Sequence, residues 1–368
     1  MNETFDYIIV GAGSAGCAVA NRLSKNPENK ILLIEAGNNS HPLSRLPASF
    51  ALLIDNPSAN WRYRSEPEEN TSNRQIPIPR GKLLGGSSSI NGLVYVRGNK
   101  LDYDTWAQLG NTGWSYDDVL PFFKKMENYQ GDITEVRSTE GPLKISEVVD
   151  RNPIYEGLFK GAEEIGIPIN KDYNGHEQEG ISYTQTTIFK GERMSAEVAY
   201  LRPAKSRKNL KTITNSLVTK LLFDGKKCKG VKVKNKNKIT DFFAQNEVIL
   251  CGGAINSPQI LELSGIGNRS LLEEKGISLV HELKGVGENL RDHLGPRLVY
   301  NITKRGISYN DKARGINLIK QVLKYVFKRE GFLTLPSAPI LGFFKTRKEL
   351  AAPDIQVHFI PYKVVLNN

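Results

Sequence analysis

The sequence predicts a mixed α/β fold: a Rossmann-like dinucleotide-binding domain built from discontinuous segments, interrupted twice by a second domain with an antiparallel sheet. Three observations carry this. Residues 6–36 read strand, glycine turn, helix, strand, within the roughly thirty residues of a βαβ unit. The strand, glycine turn and helix pattern returns in "NEVILCGGAINSPQILELSGIG", 246–267. Between the two, "GPLKIS" and "ISYTQTTIF" read as antiparallel strands, with "PIYEGLFKGAEEIG" an amphipathic helix between them.

Taken in order, the apolar strand "DYIIV" runs into Gly11, Gly13 and Gly16. Gly11 allows the tight turn, Gly13 lets main chain approach a pyrophosphate, and Gly16 lets the following helix pack closely on the strand. That helix begins near Ser14 and Ala15, and its first-turn N–H groups and positive dipole end point at the phosphates. The second strand, "KILLIEAG", ends at Glu35 and Ala36. A carboxylate about twenty residues beyond the turn accepts hydrogen bonds from ribose hydroxyls and disfavours a 2′-phosphate. The pattern points to dinucleotide binding without separating FAD from NAD.

Residues 37–80 have many Pro, Asn and Ser and read as a long surface excursion around "WRYRSEPE". "RGKLLGGSSSINGLVYVRG", 80–98, is a second glycine- and serine-rich loop. Gly85 and Gly86 let main chain approach a flat ring, while Ser87, Ser88 and Asn91 offer hydrogen-bonding groups. "SYDDVLPFFKKMENY" reads as a helix capped by Ser115 with Asp117 and Asp118 in its first turn. In "CGGAINSP" the glycines mark a strand end, with Ser257 and Pro258 expected to open a helix. Strand texture is expected again near 298.

The bulk properties narrow the function classes. At 368 residues the chain suggests two domains, and 39% hydrophobic with 24% charged residues suits a globular protein with a core. No apolar run reaches membrane-spanning length, and the first strand starts directly after "MNETFD", leaving no room for a cleavable signal peptide. The chain is expected to be cytoplasmic, with peripheral membrane association left open. Cys17, Cys228 and Cys251 are far apart, so neither a metal site nor a disulfide framework is suggested. Much of the formal charge of +11 sits in "DGKKCKGVKVKNKNKITD", where lysines alternate with Val231 and Val233, as in a hairpin with one solvated face. No nucleic-acid-binding signature accompanies it. Asn289 and His293 in "ENLRDH" read as structural hydrogen-bonding residues, and His41, His176, His281 and His358 lie in contexts without catalytic character.

"RGKLLGGSSSINGLVYVRGNKLDYDTW", "GGAINSPQILELSGIG" and "GVGENLRDHL", with "NWRYRSEPE" and "GERMSAEVAYLRPA", resemble, in order, segments of the glucose–methanol–choline family of FAD-dependent alcohol oxidoreductases, closest to its choline dehydrogenase-like bacterial branch. The resemblance spans nearly all of residues 5–300. It implies FAD as cofactor, with Asn91, Gly92, Leu93 and Val94 near the isoalloxazine, Trp61 near the cofactor and Val218 near the adenine. It implies an FAD-binding domain at 1–140 and 206–297 and an incomplete substrate domain at 141–205 and 298–368, in which "GFLTLPSAPILGFFK" lines part of the pocket. It further implies oxidation of a small-molecule alcohol by hydride transfer to flavin N5, with a quinone or other carrier, rather than O2, as electron acceptor. The family's catalytic histidine is expected beyond Asn368, so no residue here is assigned as catalytic and weak or partial flavin binding is expected. An inactive flavin-binding fragment and an NAD-dependent Rossmann dehydrogenase are the alternatives.

Overall fold

The structure is a computed structural model that describes residues 3–304 and 306–363. It is mixed α/β, as the patterning predicts, and divides into two compact units. The first comprises Met1–Ser44, Ala51–Ile90 and Ser195–Pro296; the second comprises Arg45–Phe50, Asn91–Met194 and Arg297–Asn368.

The first unit is built on the strands β1 (Thr4–Val10) and β2 (Ile31–Ile34), joined by helix α1 (Ser14–Leu23). Four more strands follow: β3 (Leu210–Ile213), β4 (Leu217–Asp224), β5 (Lys227–Asn235) and β6 (Lys238–Leu250). They form one sheet in the order β3-β2-β1-β6-β5-β4. The first four in that order pair parallel, and β6, β5 and β4 form an antiparallel meander. All four residues of β2 are buried, the near-continuous apolar run of a strand covered on both faces. The lysine-rich segment shows the alternation expected of it: Val231 and Val233 enter the core at 0% and 2% exposure. Lys232, between them, points outward to Asp241 at 3.0 Å. The core gathers Phe5, Ile8, Leu32, Val218 and Ile260.

The second unit holds a three-stranded antiparallel sheet in the order Ile355–Phe359, Ile340–Phe344, Gly180–Tyr183. A smaller one pairs Glu127–Tyr129 parallel with Leu143–Glu147, which pairs antiparallel with Gln185–Thr186. Its core includes Tyr155, Ile181, Tyr309 and Ile340. Helix Pro153–Glu164 forms where expected, its Asn152 side chain capping Ile154 N–H. Ser115 likewise caps helix Tyr116–Met126 in a reciprocal box with Asp118.

The structure departs from the sequence expectations in four places. The units divide at Ile90/Asn91, Met194/Ser195 and Pro296/Arg297, against the expected 140/141, 205/206 and 297/298. The ladder between 127–129 and 143–147, and the bond from Tyr95 N–H to Gln185 O at 2.9 Å, hold residues 91–140 in the second unit. Residues 297–304 form no strand, and Leu298 and Tyr300 are each 81% exposed. Helix α2 (Gly253–Leu263) opens at its glycines, so Pro258 is interior, where it denies Ala254 its i+4 donor. The 37–80 segment is only partly superficial, since Leu53 and Ala59 are fully buried beside Leu83 and Ile90.

Candidate functional site

In the first unit the parallel strands deliver their carboxyl ends to one edge. The chain leaves β1 in one direction toward β2 and returns on its other side through β6, so strand order reverses at β1. Open α/β sheets bind ligands outside the strand ends at such a switch point. Main-chain bonds knit the turns there: Gly11 N–H to Ile34 O at 2.8 Å, Cys251 N–H to Val10 O at 2.7 Å, Gly85 N–H to Ala12 O at 2.8 Å and Ser216 N–H to Glu35 O at 2.9 Å.

Three glycine turns meet at this edge. Gly11 has φ +98°, and a Cβ on it would sit 2.5 Å from the Cys251 carbonyl oxygen. A Cβ on Gly16 would overlap the Gly11 carbonyl, which is the close helix–strand approach expected of it. Gly13 differs: its Cβ would have nothing nearer than 4.0 Å, reached only by Cys251 O and Gly86 Cα. Gly86, at φ +52°, packs so closely that its own Cβ would lie 2.7 Å from Gly13 Cα. The 85–86 turn therefore packs on the first glycine turn and leaves a methyl-sized slot beside Gly13. Gly13 is also the N-cap of α1 and no side chain caps the helix, so the amides of Ser14, Ala15 and Gly16 face that slot with the positive end of the dipole.

Glu35 is 5% exposed. Its carboxylate accepts from Ala12 N–H at 2.9 Å and Gly37 N–H at 2.8 Å, tying the glycine turn to the end of β2. Burial pushes its pKa up, and the Gly37 and Ala12 amides and the Lys82 charge pull the other way. Each oxygen keeps a lone pair for a further donor. Beyond it, Ala36, Gly37, Asn38, Ser58, Lys82 and Asn215 line a hollow. Lys82 Nζ lies 4.5 Å from the Trp61 ring centroid, and Trp61 stacks on Tyr63 at 5.7 Å, nearly parallel. The sequence patterns did not single out Asn38, Lys82 and Asn215. Lys82 alone left a trace, as the lysine inside "RGKLLGG".

The remaining candidates fall into three groups. Ser87 Oγ accepts from Gly81 N–H at 3.1 Å and holds the second glycine loop in shape. Val218 is a core residue at 5% exposure, on the strand paired with Val233. Asn91, Gly92, Leu93 and Val94 belong to the second unit. There Asn91 Oδ1 accepts from Arg193 at 2.7 Å, Leu93 is fully buried at φ +66°, Gly92 abuts Ser337 and Val94 bridges Thr186.

Cys17 is buried, its Sγ donating to Ala12 O at 3.2 Å, and burial pushes the thiol up to about 12, so it acts as a packing group. The histidines do not gather at the glycine turns. His41 meets Asn56 at 3.3 Å and His176 meets Glu135 at 2.6 Å. His281 and His293 are exposed, and His358 lies in the Ile355–Phe359 strand. Among the described residues no three His, Cys, Asp or Glu side chains form a metal-binding group, and no helix is long and apolar enough to cross a membrane.

A family model described as GMC oxidoreductase matches residues 5–295. The chain is 41% identical over 367 residues to an alcohol dehydrogenase (acceptor) of Pseudomonas putida, covering 97% of this chain and 65% of that one. It is 39% identical over 368 residues to an oxygen-dependent choline dehydrogenase of Photobacterium profundum, covering 98% and 64%. A crystal structure of formate oxidase superposes with a TM-score of 0.88 at 27% identity, covering 98% of this chain and 68% of that one. The chain thus spans just under two thirds of the length of these curated relatives.

Proposed function

The chain belongs to the GMC oxidoreductase family, and from that premise we propose that it is an FAD-dependent oxidoreductase acting on the CH–OH group of a small-molecule alcohol. The observation that carries the reading is the closure of the 85–86 turn over Gly13, which leaves a slot between two glycine loops and the uncapped start of α1. An NAD-binding βαβ unit needs the first loop but not the second. A pyrophosphate placed there would meet main-chain amides and a helix dipole, with no side chain in the way.

In this reading Gly11, Gly13, Ser14, Ala15 and Gly16 hold the phosphates, and Glu35 with Ala36 takes the ribose. Trp61 stands near the cofactor and Val218 near the adenine, while Gly85, Gly86 and Ser87 hold the loop against the cofactor. Asn91, Gly92, Leu93 and Val94 serve the flavin end. When bound, FAD would supply a two-electron acceptor for the hydride of the carbinol carbon. The hydroxyl proton needs a base near neutral pKa, and we assign that role to none of His41, His176, His281, His293 or His358. The electron acceptor would be a quinone or other carrier, in line with the acceptor-dependent relative from Pseudomonas putida. The oxygen-dependent relative from Photobacterium profundum supports O2 as a second reading, and comparing hydrogen peroxide yield with quinone reduction separates the two.

The test is to purify the chain, add FAD or NAD, and follow the flavin absorbance before and after adding choline or an aliphatic alcohol without oxygen. Bound flavin with a shifted spectrum, unaffected by excess NAD, supports the reading. Binding of NAD in place of flavin would sink it. Alcohol-dependent bleaching would locate the base within the residues present.

A further inference from the structure

The helix Gly315–Lys328 of the second unit has no buried residue. Ile316, Ile319, Leu323, Val326 and Phe327 are 49–79% exposed. At helical spacing they fall, with Leu318 and Val322, on one half of the cylinder. The opposite flank carries the half-buried Gln321, whose side-chain oxygen accepts from Phe332 N–H at 3.3 Å. A surface helix of a globular protein turns its apolar stripe to the core. This one is fastened by a polar flank and turns its apolar half outward.

Charge is distributed to match. Lys320, Lys324 and Lys328 form an i,i+4 row along one border of the apolar half, with Lys312 and Arg314 before the helix and Arg329 after it. Residues 312–329 contain no Asp or Glu. Among the described residues, only Lys324 and Arg329 of this set reach carboxylates, Glu330 at 3.5 Å and Glu192 at 3.7 Å. Antiparallel pairing with a second copy through this half would bring two lysine rows together. An anionic lipid surface instead complements both features, taking apolar side chains among the acyl chains and ammonium groups among the headgroups.

We propose that the Gly315–Lys328 helix is an interfacial anchor that lays its apolar half into the headgroup region of an anionic phospholipid bilayer. This stands independently of the flavin reading, because it uses no residue of the glycine cradle. The full chain, with and without FAD, is sedimented with phosphatidylcholine vesicles that contain or lack phosphatidylglycerol. Expected are binding to the anionic vesicles, weaker binding to the neutral ones, and loss of binding at high salt. Leu323→Asp with Phe327→Asp should weaken binding by roughly tenfold or more. Reversing Lys320, Lys324 and Lys328 to Glu should cost about fivefold or more per residue. Leu109→Asp, on an exposed residue elsewhere, should bind like the parent. Phe327→Trp keeps the apolar character and should be quenched by brominated lipid when vesicles are present. Absence of vesicle binding, binding indifferent to the helix variants, or an unquenched Phe327→Trp would overturn the proposal. So would self-association without lipid that the same variants abolish.

Discussion

At the scale of single residues, the glycines of the first turn divide into two physical classes. Gly16 has no room for a side chain: a Cβ would overlap the Gly11 carbonyl across the helix–strand contact. Gly13 has ordinary backbone angles, φ −77° and ψ −159°, and no protein atom nearer than 4.0 Å to a Cβ. Gly16→Ala should therefore destabilise the fold by about 1–3 kcal/mol, the cost of overpacking. Gly13→Ala should leave stability unchanged within about 1 kcal/mol, since the lost N-cap preference and the reduced unfolded-state entropy offset each other. Its methyl would stand where the phosphates pass, so FAD affinity should fall on the order of tenfold. Thermal unfolding and flavin titration of the two variants check this. Equal loss of stability in both would remove the ligand explanation for Gly13.

At the scale of elements, the second unit is tied by a buried ionic network. Glu127, fully buried, lies 2.7 Å from Arg97 and 2.9 Å from Arg137. Arg137 also reaches Asp172 at 2.6 Å. Glu127 sits on the strand paired with Leu143–Glu147, while Gln185, on the third strand of that sheet, meets Arg137 at 3.0 Å. The Glu127 carboxylate thus meets two buried guanidinium groups, of which Arg137 has Asp172 as a second partner and Arg97 does not. Glu127→Gln leaves uncompensated positive charge out of water and should cost about 3–5 kcal/mol in urea unfolding. A loss near that of a surface pair, about 0–1 kcal/mol, would mean that water reaches the network.

The elements also show what was legible. The β1–α1–β2 unit, its glycines and Glu35 could be read because every feature is local: apolar runs, a turn residue, an acid at fixed spacing. The cap of Ser115 with Asp118 is local too. Helix Lys100–Gln108 carries the same kind of signal, Asn99 with Asp102 in a capping box, but its largely polar face hides the period. The interior position of Pro258 was not legible, because the preceding glycines can start the helix without it. Lys82, Asn38 and Asn215 were not legible because long-range pairing assembles their hollow. Ser216 N–H meets Glu35 O, and β3 lies beside β2, far along the chain. The division at Ile90/Asn91 was hidden for a similar reason, since a Gly/Ser loop reads alike whichever unit its flanks join.

At the scale of the whole molecule, each unit has its own core, one around Ile8, Leu32 and Val218 and the other around Tyr155, Ile181 and Ile340. A ligand held by the glycine cradle therefore stabilises the two unequally. Binding to the native state alone adds about 2.7 kcal/mol when free ligand stands at a hundred times its Kd. Local opening reports that gain only where it breaks the site. FAD should slow amide exchange at 11–16, at 35–38, at 85–87 and at 91–94, and through the ladders shared with the glycine turns in β1, β2 and the end of β6. The strands Ile340–Phe344 and Ile355–Phe359, which pair with each other and with Gly180–Tyr183, should exchange at their unliganded rate. Hydrogen exchange read by mass spectrometry, with and without FAD, separates these segments directly. Protection spread evenly over both sheets would show that the units open together, and protection missing from 11–16 would move the cofactor away from the glycine turns.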